Sequence, residues 1–195
     1  MKLVVASNNL KKRTEIAAIL GALGIELVAP EDTVFIDVFE DASTFSGNAR
    51  KKAAAFAAAN GLPALADDSG LCVDTLNGAP GVYSARFSGP AANDVENNRK
   101  LLADLANHSD RVAHFYCAVH LAFPDHQQSF CADGRVEGVI LDHPAGNIGF
   151  GYDPLFFCPE LGKTFAECTP EEKASVSHRG RALRALAEQL KIRQP

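Results

Sequence analysis

The stretch K-L-V-V-A-S-N-N-L-K-K-R at residues 2–13, continued by Ile16, Ile19, Leu20, Leu23 and Gly24, decides the fold class. Lys2 to Ala6 is almost wholly apolar, the signature of a short buried strand. Ser7 and Asn8 follow, with side chains suited to capping a helix. Ile16, Ile19, Leu20 and Leu23 then recur at helical spacing, and Gly24 stops the run. Strand, polar loop and helix in immediate succession are the opening of an α/β protein.

Outward from that start, the chain keeps alternating. Residues 25–38 read as a second extended stretch, interrupted by Pro30. Ser46 is placed to cap a helix that runs through the alanine-rich segment to Asn60-Gly61, a C-terminal stop signal. Leu65-Ala66 reads as a short strand ending in Asp67-Asp68-Ser69-Gly70. Residues 77–92 hold five glycines or prolines and read as loop. Asn93 with Glu96 resembles a capping box, ahead of a helix with Leu101, Leu102 and Leu105 on one face.

Val112 to Phe123 is the longest strand candidate. Ala113, Phe115, Cys117, Val119, Leu121 and Phe123 share one face; His114, Tyr116 and His120 share the other. Residues 128–140 read as a second β region antiparallel to it. A glycine-rich loop from Pro144 to Asp153 and a strand through Leu155-Phe156-Phe157 come next. Thr169-Pro170-Glu171-Glu172 supplies a cap, an N1 proline and an N3 glutamate, so a helix starts there. A last helix begins near Ser177 with Leu183, Leu186 and Leu190 inward. The order predicts an α/β fold with a mixed sheet, in a single domain over residues 1–195.

Composition narrows the function. Of 195 residues, 47% are hydrophobic and 22% charged, as in an ordinary globular protein. A chain of this length buries roughly 70% of its unfolded surface and needs no staples. The formal charge of -5 argues against a broad nucleic-acid surface, though a local cluster can still hold phosphate. Five cysteines without C-x-x-C spacing fit no disulfide framework. Cys72, Cys117, Cys131 and Cys158 lie in apolar runs and read as buried small hydrophobes. Reduced thiols, no signal-peptide pattern and no apolar run near ~20 residues predict a cytoplasmic chain without a membrane partner.

Four constellations carry chemistry. In Ser7-Asn8-Asn9-Leu10-Lys11-Lys12, a strand opens into a helix whose amide donors and dipole suit phosphate; a capped helix with a solvated basic turn is the plainer alternative. In Asp67-Asp68-Ser69-Gly70, adjacent carboxylates call for a cation or donors, and hard oxygens suit Mg²⁺; the alternative is an Asx-turn with Gly70 at positive φ. Glu40 and Asp41 are a second acidic source. In Gly146-Asn147-Ile148-Gly149-Phe150-Gly151-Tyr152-Asp153, glycines admit a ligand, and an aromatic ring is free either to stack on a base or to plug the loop. Lys173 and His178-Arg179 lie at helix positions where an anion or acceptor would offset their charge.

Six stretches in order carry a resemblance. They are S-N-N-L-K-K at 7–12, T-F-S-G-N-A-R-K-K-A at 44–53, A-D-D-S-G-L-C-V-D at 66–74, G-A-P-G-V-Y-S-A-R-F-S-G at 78–89, G-F-G-Y-D-P-L-F at 149–156 and E-E-K-A-S-V-S-H-R-G at 171–180. Together they resemble the inosine triphosphate pyrophosphatases, also called the Ham1-like or noncanonical purine NTP pyrophosphatase family. The resemblance implies an elongated mixed sheet with flanking helices, two lobes around a central substrate cleft, and a homodimer. It implies Mg²⁺-dependent hydrolysis of ITP, dITP and XTP to monophosphate and pyrophosphate, which keeps them out of DNA and RNA. Ser7, Asn8, Asn9, Leu10, Lys11 and Lys12 match the phosphate loop. Glu40 and Asp68 match the metal-binding acids, and Asp68 the general base. Ser69, Phe150, Gly151, Tyr152, Asp153, Lys173, His178 and Arg179 match substrate contacts, with Arg179 expected at the 6-oxo edge of the base. Two positions depart from the family pattern: Gly47, where glutamate is common, and Ile148, where glycine is common.

Rival readings fit less of the chain. A Maf-like pyrophosphatase leaves the G-F-G-Y-D and S-H-R segments without a match. A nucleotide-binding regulator without catalysis leaves the acids and the base without a task. A nucleic-acid module meets the acidic charge and the lack of a recognised binding signature.

Overall fold

The opening strand and helix form where the sequence predicts them, as β1 (Lys2–Val5) and α1 (Leu10–Ala22), with Ile16, Ile19 and Leu20 buried. The computed structural model describes residues 2–125 and 128–192, so the ends of the expected 1–195 domain lie outside it. The cap of α1 falls on Asn9, whose Oδ1 accepts the Lys12 amide at 3.1 Å; Ser7 stays in the loop and accepts from the Asn9 amide. The expected extended stretch over 25–38 shrinks to β2 (Glu26–Leu27), because Pro30 opens a short 3₁₀ turn, Pro30–Asp32. Helix α2 (Phe45–Asn60) starts one residue before Ser46, with Thr44 as the cap and Gly61 as a left-handed stop. That leaves Ser46 to bond His120 at 2.9 Å.

Strand β3 (Ala64–Val73) runs straight through Asp67-Asp68-Ser69-Gly70 rather than ending there. Gly70 is not among the positive-φ glycines, so the turn alternative is excluded. The remaining elements are α3 (Asp94–Asp104), β4 (Val112–Ala122), β5 (Ser129–Ile140), β6 (Phe156–Cys158), β7 (Lys163–Thr164), α4 (Pro170–Val176) and α5 (His178–Ile192). Thr169 and Glu172 close the predicted capping box on α4. Cys117 and Cys158 are buried, whereas Cys72 is half-buried and Cys131 exposed, because their strand positions turn them from the core.

The sheet is mixed and seven-stranded, ordered β2-β1-β3-β4-β5-β6-β7. β1 pairs parallel with β2 (Leu3 opposite Leu27) and with β3 (Val5 opposite Leu65); β5, β6 and β7 pair antiparallel in turn. The order β2-β1-β3 makes β1 the strand from which connections leave both ways, and ligands bind outside the carboxyl end of such a strand. The Ser7–Lys12 segment is that end.

The described residues gather into two compact units. The first comprises residues through Asp68, Cys117–Gly134 and the chain from Arg179 onward; the second comprises Ser69–Tyr116 and Arg135–His178. The first has a small-residue core of Val4, Ala6, Ala53, Phe56, Ala57, Ala64 and Ala66, where alanines let α2 lie close to the sheet. The second has a larger core that includes Leu71, Leu101, Phe115, Tyr152, Phe156 and Phe165.

Candidate active site

In the first unit, Asp67 and Asp68 stand side by side in β3 with 1% and 7% of their surface exposed. Neighbouring strand residues point to opposite faces, so the two carboxylates meet different partners. Asp67 Oδ2 accepts from Arg179 Nε at 3.2 Å and Nη2 at 3.0 Å, and lies 3.3 Å from Lys12 Nζ. Arg179 also pairs with Glu15. Asp68 Oδ2 accepts instead from the Asn48 amide at 3.0 Å. Lys52 Nζ reaches Glu40 at 3.1 Å.

These surroundings drive the two acids apart. Burial opposes ionisation of Asp67, but the charges of Lys12, Arg179 and Lys52 outweigh it and hold this carboxyl well below the usual range. Burial pushes Asp68 above its usual value, against Lys52, Lys12 and the Asn48 bond, and the nearby Glu40 charge adds to the rise. Burial would lower Arg179, yet Asp67 and Glu15 hold it firmly protonated. Asp67 is therefore an anion held by its cations, and Asp68 is the carboxyl whose ionisation burial opposes.

Of the expected phosphate loop, Ser7 is half-buried, Asn8, Asn9, Leu10 and Lys11 are exposed, and Lys12 turns inward to Asp67. Arg179 is 2% exposed, with Nε, Nη1 and Nη2 all on carboxylates. The donors expected at a base edge are occupied by Asp67 and Glu15 in this structure. Asn48, Lys52 and Glu15 were not singled out by the sequence. Asn48 and Lys52 lie four apart on one face of α2 within the quoted 44–53 stretch, which is a signal. Glu15 gives none, since it reads as an ordinary helix-surface acid.

In the second unit, the glycine-rich loop is built around Asp153. Its Oδ2 accepts the Phe150 amide at 2.9 Å and Lys173 Nζ at 2.6 Å. Lys173 Nζ also lies 4.9 Å from the Phe150 ring centre and 5.5 Å from that of Phe165, so an anion and two π faces satisfy this buried ammonium. Gly149 takes φ +83°, and a Cβ there would stand 2.2 Å from Asp153 Oδ2. Gly151 donates to Asp94 and accepts from Asn98. Tyr152 joins the core and donates its hydroxyl to Ser84 O at 2.9 Å, so Phe150 is the ring left half-buried. The alternative of a plug thus holds for Tyr152. His178 stacks on Phe115 at 4.8 Å, and Ser69 is half-buried on β3.

Among the described residues, no group of three or more His, Cys, Asp and Glu side chains is placed to hold a metal. The donor set Glu40 and Asp68 nonetheless fits Mg²⁺, which takes one or two carboxylates and completes its shell with phosphate and water. Burial is the main cause of the Asp68 rise and the Glu40 charge adds to it, so a cation held by both carboxylates would offset both. No described helix is long and apolar enough to cross a membrane.

Comparison with known proteins follows the same lines. The profile of the Ham1 family matches residues 3–189. The dITP/XTP pyrophosphatase of Geobacter sulfurreducens is 52% identical over 97% of this chain and 96% of its own. That of Clostridium perfringens is 47% identical over 97% of each. Among solved structures, the Ham1 protein of Staphylococcus aureus superposes with a TM-score of 0.87 at 39% identity over the whole of both chains. The Ham1 protein of Coxiella burnetii gives 0.87 at 42% over 98% of this chain and 99% of its own. With the sheet order, the paired aspartates and a match over nearly every residue in agreement, the chain belongs to the Ham1 family.

Proposed function

We propose that this chain is a nucleoside triphosphate pyrophosphatase that hydrolyses ITP, dITP and XTP to the monophosphate and pyrophosphate. The carrying observation is the pair of adjacent buried carboxylates with different partners: Asp67 is bonded to the Arg179 guanidinium beside Lys12, and Asp68 accepts from the Asn48 amide. The names of the relatives supply the substrate class. Asp68 orients a water against the α-phosphorus and accepts its proton as the new P–O bond forms. The bond to the β-phosphate oxygen breaks, and pyrophosphate leaves. Ser7 to Lys12 bind the phosphate chain through the start of α1, and Lys12 is the side chain able to exchange Asp67 for a phosphate oxygen.

Glu40 and Asp68 would hold Mg²⁺, which supplies compensation for the charge developing on the leaving pyrophosphate. Phe150 offers the stacking face for the base, while Ser69, Gly151, Asp153, Lys173 and His178 shape and orient that region. Tyr152 acts from the core through Ser84. Arg179 keeps Asp67 ionised and in place. Five free cysteines fit a reducing cytoplasm, and the family pattern supports a homodimer, for which light scattering should give twice 20.8 kDa.

Product analysis across a nucleotide panel tests the reading. Inosine triphosphate with Mg²⁺ should give monophosphate and pyrophosphate, with no diphosphate intermediate and no turnover in chelator. Diphosphate and orthophosphate as first products would overturn it, as would tight binding without turnover.

A further inference from the structure

Between α2 and β3, one side chain joins the two acidic elements of the site. Asn48 is 1% exposed, and its planar amide is used at both ends. Nδ2 donates to Asp68 Oδ2 at 3.0 Å, and Oδ1 accepts the Ala42 amide at 2.9 Å. Ala42 lies two residues after Glu40, in a segment from Thr33 to Ala42 that has no helix or strand of its own. That segment is held by side chains of α2. Asn60 exchanges two hydrogen bonds with the Val34 backbone, Lys51 binds Phe39 O and Asp41, and Lys52 binds Glu40. Lys51 is exposed, while Lys52 is mostly buried and its charge acts on Glu40 and on both aspartates. Asn48 is short and buried, and it donates directly to Asp68. Gly47 beside it admits the segment closely, since a Cβ there would meet Ala42 Cβ at 2.8 Å.

We infer that Asn48 is a positioning residue that sets the Glu40 segment and Asp68 in register to share one divalent cation. The inference rests on the function proposed above. A purely structural asparagine would need only the Ala42 bond; donation to Asp68 ties the same amide to the reacting carboxyl. Groups that orient metal ligands typically cost about 10- to 100-fold in metal affinity or activity when removed.

The test begins with Mn²⁺ binding to Asn48→Ala, read by electron paramagnetic resonance without nucleotide. Affinity should fall by about 10- to 100-fold, and kcat for inosine triphosphate by a similar factor with less change in KM. In an Asp68→Asn background, Asn48→Ala should remove little further activity, because residues that act as one unit are not additive. A variant that only melts earlier, with Mn²⁺ affinity and kcat kept, makes Asn48 a scaffold residue and overturns the inference. If Asn48→Ala does not fold, Asn48→Gln keeps the amide and its charge state and shifts both hydrogen-bonding ends by one methylene, out of register with Asp68 and Ala42. A wild-type kcat in that variant overturns the inference, and a loss of about tenfold or more at an unchanged melting temperature supports it. A wild type that binds Mn²⁺ but hydrolyses nothing sinks the proposed function, while the Mn²⁺ result still decides Asn48.

Discussion

Two consecutive carboxylates with opposite fates define the residue scale. Asp68→Asn keeps shape but removes the proton acceptor, so kcat should fall by at least ~100-fold while the melting temperature holds. Asp67→Asn should do its damage in the fold. It takes from the buried Arg179 and from Lys12 the carboxylate they share and leaves Arg179 with Glu15, and removing one partner of a buried pair costs roughly 3–5 kcal/mol. Differential scanning of the two variants should separate them cleanly. Arg179→Lys belongs with Asp67, because an ammonium cannot bridge Asp67 and Glu15 as a guanidinium does. Its kcat/KM for inosine triphosphate and for ATP should fall by one common factor. A drop confined to inosine triphosphate would move Arg179 to the base edge.

At the scale of elements, one contact in the glycine-rich loop and one at the start of α2 can each be tested by a single substitution. Gly149→Ala places a methyl group on the carboxylate that holds both Phe150 and Lys173, in a backbone conformation that L side chains avoid. KM for inosine triphosphate should rise and stability fall, whereas substitutions at Ile148, 47% exposed next door, should be tolerated. His120 on β4 holds Ser46 of α2, and burial lowers its pKa from the ordinary 6.5, with Arg50 adding to the effect. The unfolded chain then binds that proton more readily than the native one. Its stability contribution is complete above pH 6.5 and is lost as pH falls toward the native value, so His120→Asn should flatten the melting-temperature profile between pH 7 and 5.5. Strands, helices and most caps were legible because apolar spacing and capping residues act locally, as at Thr169 or Gly61. The long course of β3 was not legible, because Asp67-Asp68-Ser69-Gly70 looks like a turn until Arg179 and Lys12 supply the charge that keeps it extended. Asp68 and Lys173 were visible as motif members, while the commitment of Tyr152 to the core depends on Ser84, distant in sequence.

For the molecule as a whole, the path of the chain matters more than any single contact. It passes from one unit to the other at Asp68–Ser69, at Tyr116–Cys117, at Gly134–Arg135 and at His178–Arg179. Neither unit is a contiguous segment, and two of the four passages fall inside the sequence motifs that carry the chemistry. No single cut of the chain can therefore release either unit intact. Independent melting requires a unit able to lose its structure while the other keeps all of its own strands, yet β3, β4 and β5 each belong to both. Calorimetry should accordingly show one transition whose calorimetric and van't Hoff enthalpies agree, and two resolved transitions would contradict this account. Partial unfolding in the cell would then leave no half-enzyme able to bind a nucleotide without destroying it; a molecule that loses part of its order leaves the working population altogether.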